Sequence, residues 1–160
     1  IFDAHGSCKN KELNNSWLRN LVEEGFSGNR IILVSARNLE EKEFEFIKEK
    51  GITLIGMDIL QEDLHEVCDL IMERARKSRG FFIALDIDSV DPGFAPGTNQ
   101  LEPGGLTSNN LIYFAKRLTL LGNFKGASIS NINPDLDFNR ITIRLGARLL
   151  GEMISSKNGS

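Results

Sequence analysis

Phe81-Phe82-Ile83-Ala84-Leu85 is an unbroken apolar run that stops abruptly in Asp86-Ile87-Asp88. Such a run, without polar alternation, belongs to a strand covered on both faces, as in the interior of a parallel sheet. In an open α/β fold, ligands bind at the carboxyl ends of the strands. If the chain stays extended there, residues two apart share a face, so Asp86 and Asp88 are expected to converge on one point. The residues that follow, Val90-Asp91-Pro92-Gly93-Phe94-Ala95-Pro96-Gly97, form a Pro/Gly loop able to fix a crevice wall without regular structure.

The rest of the chain alternates strand and helix patterns. Ile1-Phe2, Ile31 to Val34, Ile52 to Met57, Phe81 to Leu85 and Gly126 to Ile132 read as five strands. Helices are expected from the Asn14-Asn15-Ser16 cap candidates to Gly25 and from Asn38 to Gly51. Others should run from Leu60 to Gly80, from Thr107 or Ser108 through Leu121, and from about Asn139 to Ile154. This βα alternation implies right-handed crossovers and a three-layer α/β/α architecture around a parallel sheet of about five strands. The boundaries are one domain over residues 1–154 and a polar, disordered tail over 155–160.

The 160 residues, 41% of them hydrophobic, suffice for one sizeable core, and no apolar run approaches a membrane span. Net charge is −3 with 19 basic and 22 acidic residues interspersed, so nucleic acid and anionic membranes are poor partners. Cys8 and Cys68 form no metal or disulfide pattern, and Cys68 falls on an apolar helix face. A cytoplasmic location is the default expectation. The chain opens on Ile1 at what reads as the end of a buried strand, with no leader pattern, which suggests a trimmed chain. His65 reads as a surface histidine.

No G-x-G-x-x-G or G-x-x-x-x-G-K-[ST] follows any strand, which argues against dinucleotide and P-loop readings. Asp3-Ala4-His5 also closes an apolar segment, and with Asp86 and Asp88 it makes an oxygen-and-imidazole set suited to a divalent metal such as manganese.

Taken together, Asp3-Ala4-His5, Asp86-Ile87-Asp88-Ser89-Val90-Asp91-Pro92, Ala95-Pro96-Gly97-Thr98, Glu102-Pro103-Gly104-Gly105-Leu106 and Ile132-Asn133-Pro134 with Asp137 resemble the ureohydrolases, the family of arginase, agmatinase and formimidoylglutamase. The resemblance implies an arginase-like sheet with the five strands in the order 3-2-1-4-5. It also implies hydrolysis of C–N bonds in small guanidino or amidino compounds by a pair of Mn²⁺ ions, and it allows a homo-oligomer. By the same resemblance Asp3, His5, Asp86 and Asp88 are the ligands of one manganese, with Asp3 and Asp86 bridging to the other. Ser7 stands where the family has a carboxylate ligand of that second ion, and the motif with its histidine ligand would precede Ile1. Asn131 replaces the glutamate that meets the substrate, and Asn14 stands at the site of the proton-shuttling histidine. These substitutions imply impaired or absent activity with at most one metal. The alternative is a catalytically silent or engineered arginase-like scaffold. A further reading takes Asp86-Ile87-Asp88-Ser89-Val90 as the D-x-D-x-V motif of haloacid-dehalogenase-like phosphatases, with Asp86 as nucleophile and Mg²⁺ as cofactor. Its position on the fourth strand rather than the first argues against it.

Overall fold

The computed structural model describes residues 1–9 and 16–155. Among these residues four strands form: β1 (Ile32–Ala36), β2 (Thr53–Gly56), β3 (Phe81–Asp86) and β4 (Phe124–Ser130). β1 pairs in parallel with β2 and β3 pairs in parallel with β4. Between the two pairs lies Phe2, bridged in parallel to Val34 on one side and Leu85 on the other. The strand expected at Ile1-Phe2 is thus a pair of single bridges, because the chain leaves the extended path soon after Asp3. It still makes ladder hydrogen bonds on both sides. The Phe2 amide donates to the Ala84 carbonyl and the Asp86 amide to the Phe2 carbonyl, both at 2.8 Å, while the Val34 amide donates to Ile1 at 2.9 Å and the Asp3 amide to Val34 at 3.1 Å.

Helices cover both faces. α1 (Trp17–Glu23) and α2 (Glu41–Glu49) bury Leu18, Phe46 and Ile47 with Leu33 and Ala36 of β1. The neighbouring Val34 points the other way, into a larger cluster with α3 (Met57–Glu62), α4 (Leu64–Arg76), α5 (Ser108–Thr119) and α6 (Ile141–Ser155). Adjacent residues of one strand serving opposite layers is what a sheet covered on both faces requires. Among the described residues β4 pairs with β3 alone, and its residues after Phe124 are half-buried or exposed.

Several boundaries differ from expectation for local reasons. The long helix placed after residue 60 is two helices, because Asp63 leaves the helical path and its carboxylate caps α4, accepting from the His65 and Glu66 amides. Asn38 does not cap α2; Glu40 does, in a reciprocal capping box with Glu43. Trp17 is largely exposed, and Leu18 carries the packing of α1. Cys68 is buried in the main core. Apart from Ser155, which ends α6, the tail 155–160 lies outside the described residues.

The main core meets the central bridge where the fully buried Phe114 of α5 packs on Phe2, ring centroids 5.1 Å apart. Phe114→Ala is expected to cost about 3–5 kcal/mol in chemical denaturation, from lost burial and the cavity left under Phe2. A cost under about 1 kcal/mol would show that the site's base does not rest on this contact.

Candidate metal centre

The Phe2 bridges deliver Asp3, Ala4 and His5 to the end of β3. Strand β3 stops at Asp86, and Ile87–Ser89 coils into a 3-10 turn started by Asp86, whose Oδ1 accepts from the Asp88 amide at 3.2 Å. Asp88 therefore does not share an extended face with Asp86, as the two-residue spacing suggested. The turn instead swings Asp88 toward His5, with its Oδ2 3.0 Å from His5 Nδ1 and its Oδ1 3.3 Å from the donating Ala4 amide. Asp3 Oδ1 lies 3.6 Å from the same Nδ1 and accepts from the His5 amide at 2.8 Å.

Asp3, His5 and Asp88 thus bring ligand atoms within 4.8 Å of one another, and all three are buried or nearly so. This donor set, two carboxylates and an imidazole, fits a divalent cation of manganese type. Asp86 lies beside the trio and not in it. Its Oδ2 accepts from Ser130 Oγ at 3.2 Å and from Asn131 Nδ2 at 2.5 Å. Ser7, meanwhile, donates its hydroxyl to Asp3 Oδ2 at 2.8 Å. Two positions where family likeness expects acids thus carry donors that bind the site's own carboxylates. Asn14 lies outside the described residues.

The charges respond accordingly. The carboxylates of Asp3 and Asp88 push His5 up to about 10, so the imidazole is a cation between them. Burial, then the charges of Asp88 and Asp3, push Asp86 up to about 8. Burial likewise raises Asp3. Burial also works against Asp88, but hydrogen bonds from His5, Asp86 and the Ala4 amide hold it below the ordinary carboxylate value.

On the His5 side of the trio is a cavity of about 360 Å³ lined by His5, Ser7, Lys9, Asn38, Glu43 and residues 99–102. Glu102 Oε1 lies 3.5 Å from His5 Nε2 and accepts from Asn38 Nδ2 at 2.5 Å. Glu43 is fully buried and accepts from the Cys8 amide at 3.1 Å. It approaches Gly6 so closely that a Cβ there would lie 2.8 Å from its Oε1. Three non-glycine residues with positive φ surround the site: Ser7 (49°), Ser35 (70°) and Asn131 (64°). Such conformations are sparsely populated and concentrate where the surroundings over-determine the backbone. Sequence reasoning missed the contributions of Asn38, Glu43 and Ser35; only the Glu40/Glu43 spacing carried a local signal, that of a capping box. His65 is exposed and edge-on to Tyr113.

A family model described as "Arginase family" matches residues 1–155. The chain belongs to the arginase family. It is 29% identical over 161 aligned positions to formimidoylglutamase of Bacillus subtilis strain 168, covering 93% of this chain and 50% of that protein. It is 27% identical to agmatinase of the same strain, covering 96% of this chain and 52% of the relative. Among solved structures, formimidoylglutamase from Bacillus subtilis superposes with a TM-score of 0.93 at 26% identity, covering 99% of this chain and 52% of that one. Arginase from Bacillus caldovelox does so at 0.88 and 25% identity, covering 95% and 58%. The chain spans about half the length of the curated relatives it matches. Arginase-family membership over 1–155 takes the place of the phosphatase reading. Among the described residues no helix is long and apolar enough to cross a membrane.

The pH dependence follows from Asp86. A carboxyl raised from 3.8 to about 8 is more protonated in the folded than in the unfolded chain, so its contribution favours folding below its unfolded pKa and is lost as pH rises through 8. Between about pH 5 and pH 8 the melting temperature of the metal-free protein should fall relative to that of Asp86→Asn, whose amide does not titrate. Parallel profiles for the two proteins would contradict the assignment.

Proposed function

We propose that this chain is a metal-binding member of the arginase family that holds one divalent cation, Mn²⁺ by donor chemistry, and hydrolyses guanidino or amidino C–N bonds weakly or not at all. The convergence of Asp3, His5 and Asp88 in an arginase-family chain carries the reading. Asp86 would complete the set once its hydrogen bonds to Ser130 and Asn131 yield. Bound there, the cation would supply Lewis-acid polarisation of a substrate and a lowered pKa for water. The chain's own groups supply the rest of a small polar site. Glu102 presents a carboxylate to the cavity, suited to a small cationic compound such as an amidine or guanidine, while Asn38 donates to Glu102 and Ser7 to Asp3.

Weak hydrolysis is inferred from Ser7 and Asn131. Each donates a hydrogen bond to a site carboxylate, where a ureohydrolase resemblance expects acids for a second ion and for the substrate's cationic group. Two-metal hydrolysis clamps attacking and leaving groups between both ions, and one ion cannot do this. The same donors favour a second reading, a silent scaffold. Ser7, Asn131 and cationic His5 already satisfy the carboxylates, so protons and amides compete with metal for the same oxygen atoms.

Calorimetric titration with Mn²⁺ separates these readings. One weak site per chain is expected, strongly reduced in Asp88→Asn and weakening as pH falls, because protons compete for His5 and the aspartates. Equal heats for the two proteins, or none for either, would leave the silent scaffold. In parallel, urea release from arginine or agmatine and formamide release from formimidoylglutamate should be at most very slow, and Ser7→Asp alone should not restore them. Turnover near the typical enzyme median of about 10 s⁻¹ would overturn the inference of weak hydrolysis.

A further inference from the structure

Arg37 follows β1, and its half-buried guanidinium turns inward beneath the metal centre. Among the described residues its hydrogen bonds all go to backbone carbonyls. Nη2 donates to Asp88 at 2.8 Å and to Glu102 at 2.5 Å, Nη1 to Ser35 at 3.2 Å and Ser89 at 3.3 Å, and Nε to Pro103 at 3.1 Å. A guanidinium has five N–H groups in a planar fork, so this one has a carbonyl for each. Those carbonyls come from three segments distant in sequence: the end of β1, the 3-10 turn carrying Asp88, and the loop carrying Glu102. Ser35 reaches it because its left-handed φ of 70° breaks the register of β1 between Val34 and Ala36. Gly105 makes room for it, since a Cβ there would lie 2.6 Å from Arg37 Nη2 and 2.7 Å from the Ser89 carbonyl.

We infer that Arg37 is the positioning residue of this centre, locking the Asp88 turn and the Glu102 loop to the end of β1 so that Asp88 and Glu102 meet His5 from opposite sides. The inference rests on the proposed metal site, and it assigns Arg37 no contact with metal or substrate. It acts through the peptides of the residues that make those contacts. Lysine cannot take its place, because an ammonium on a flexible stem is a point charge with three donors and does not span five carbonyls.

The sign of one measurement separates positioning from a bystander charge. Arg37 is a cation near a cation site, so if charge alone mattered its removal would tighten Mn²⁺ binding. Positioning requires the opposite. Mn²⁺ titrations of wild type, Arg37→Lys and Arg37→Ala, each with amide hydrogen exchange of the metal-free protein, read both. The expected result is about tenfold to hundredfold weaker Mn²⁺ binding in both variants. Faster exchange should be confined to residues 88–90 and 102–106, with protection in the core of α5 unchanged. Should Arg37→Ala fail to fold, Arg37→Lys, which keeps the charge and loses the fork, carries the comparison. Unchanged or tighter binding in a folded variant overturns the inference while leaving the metal site standing. Absence of Mn²⁺ binding by the wild type overturns the metal site and the inference with it.

Discussion

Phe2 bonds β3 through both its amide, to Ala84, and its carbonyl, from the Asp86 amide, while its neighbours Ile1 and Asp3 bond Val34 of β1 on the other side. This short clasp joins the β1–β2 pair to the β3–β4 pair. It carries Asp3 and His5 to the end of β3, where the Ala4 amide and the His5 ring meet Asp88. Phe114 presses on Phe2 from the main core, so the packing that stabilises the fold also sets the height at which the first two polar groups emerge. From there short-range geometry takes over: strand β3 ends, the chain coils, and Asp88 arrives against the His5 ring.

The chemistry of the centre is a problem of charge. Three aspartates gathered with little solvent access repel one another and lose hydration, and the chain offsets this with its own groups. His5 takes a proton and lies between Asp3 and Asp88, Ser7 donates to Asp3, and Ser130 and Asn131 donate to Asp86. A divalent cation would perform the same neutralisation from one point. Protein donors and metal are therefore alternatives at the same oxygen atoms, which ties pH, stability and metal binding together. Arg37 is spent entirely on carbonyls and sets where those oxygens lie.

What could be read from the sequence was local. The apolar run Phe81 to Leu85 ends at Asp86 as its composition demands, and the side chains of Asp3, His5 and Asp88 lie near the strand ends where the α/β pattern puts a ligand site. The fold class followed from strand and helix alternation together with the family likeness. The break at Asp63 was also legible, since Asp63-Leu64-His65-Glu66 has the spacing of a helix start, but the continuing apolar period concealed it. Other features had no local signature. Arg37 meets residues 51 to 66 positions away, Asn38 trades a helix cap for Glu102 64 positions away, and the left-handed turn falls at Ser35, a fully buried non-glycine residue. The short span of the first strand was equally hidden, because two bridges suffice when both neighbours supply hydrogen bonds.

Because the chain has two histidines, NMR of their imidazole groups during Mn²⁺ addition tests the centre most directly. His5 is enclosed by Asp3 and Asp88, while His65 is exposed on α4. If the trio is a metal site, substoichiometric Mn²⁺ should broaden the His5 ring signals far more than those of His65. Equal broadening of both rings, or of neither, would contradict a metal centre at Asp3, His5 and Asp88.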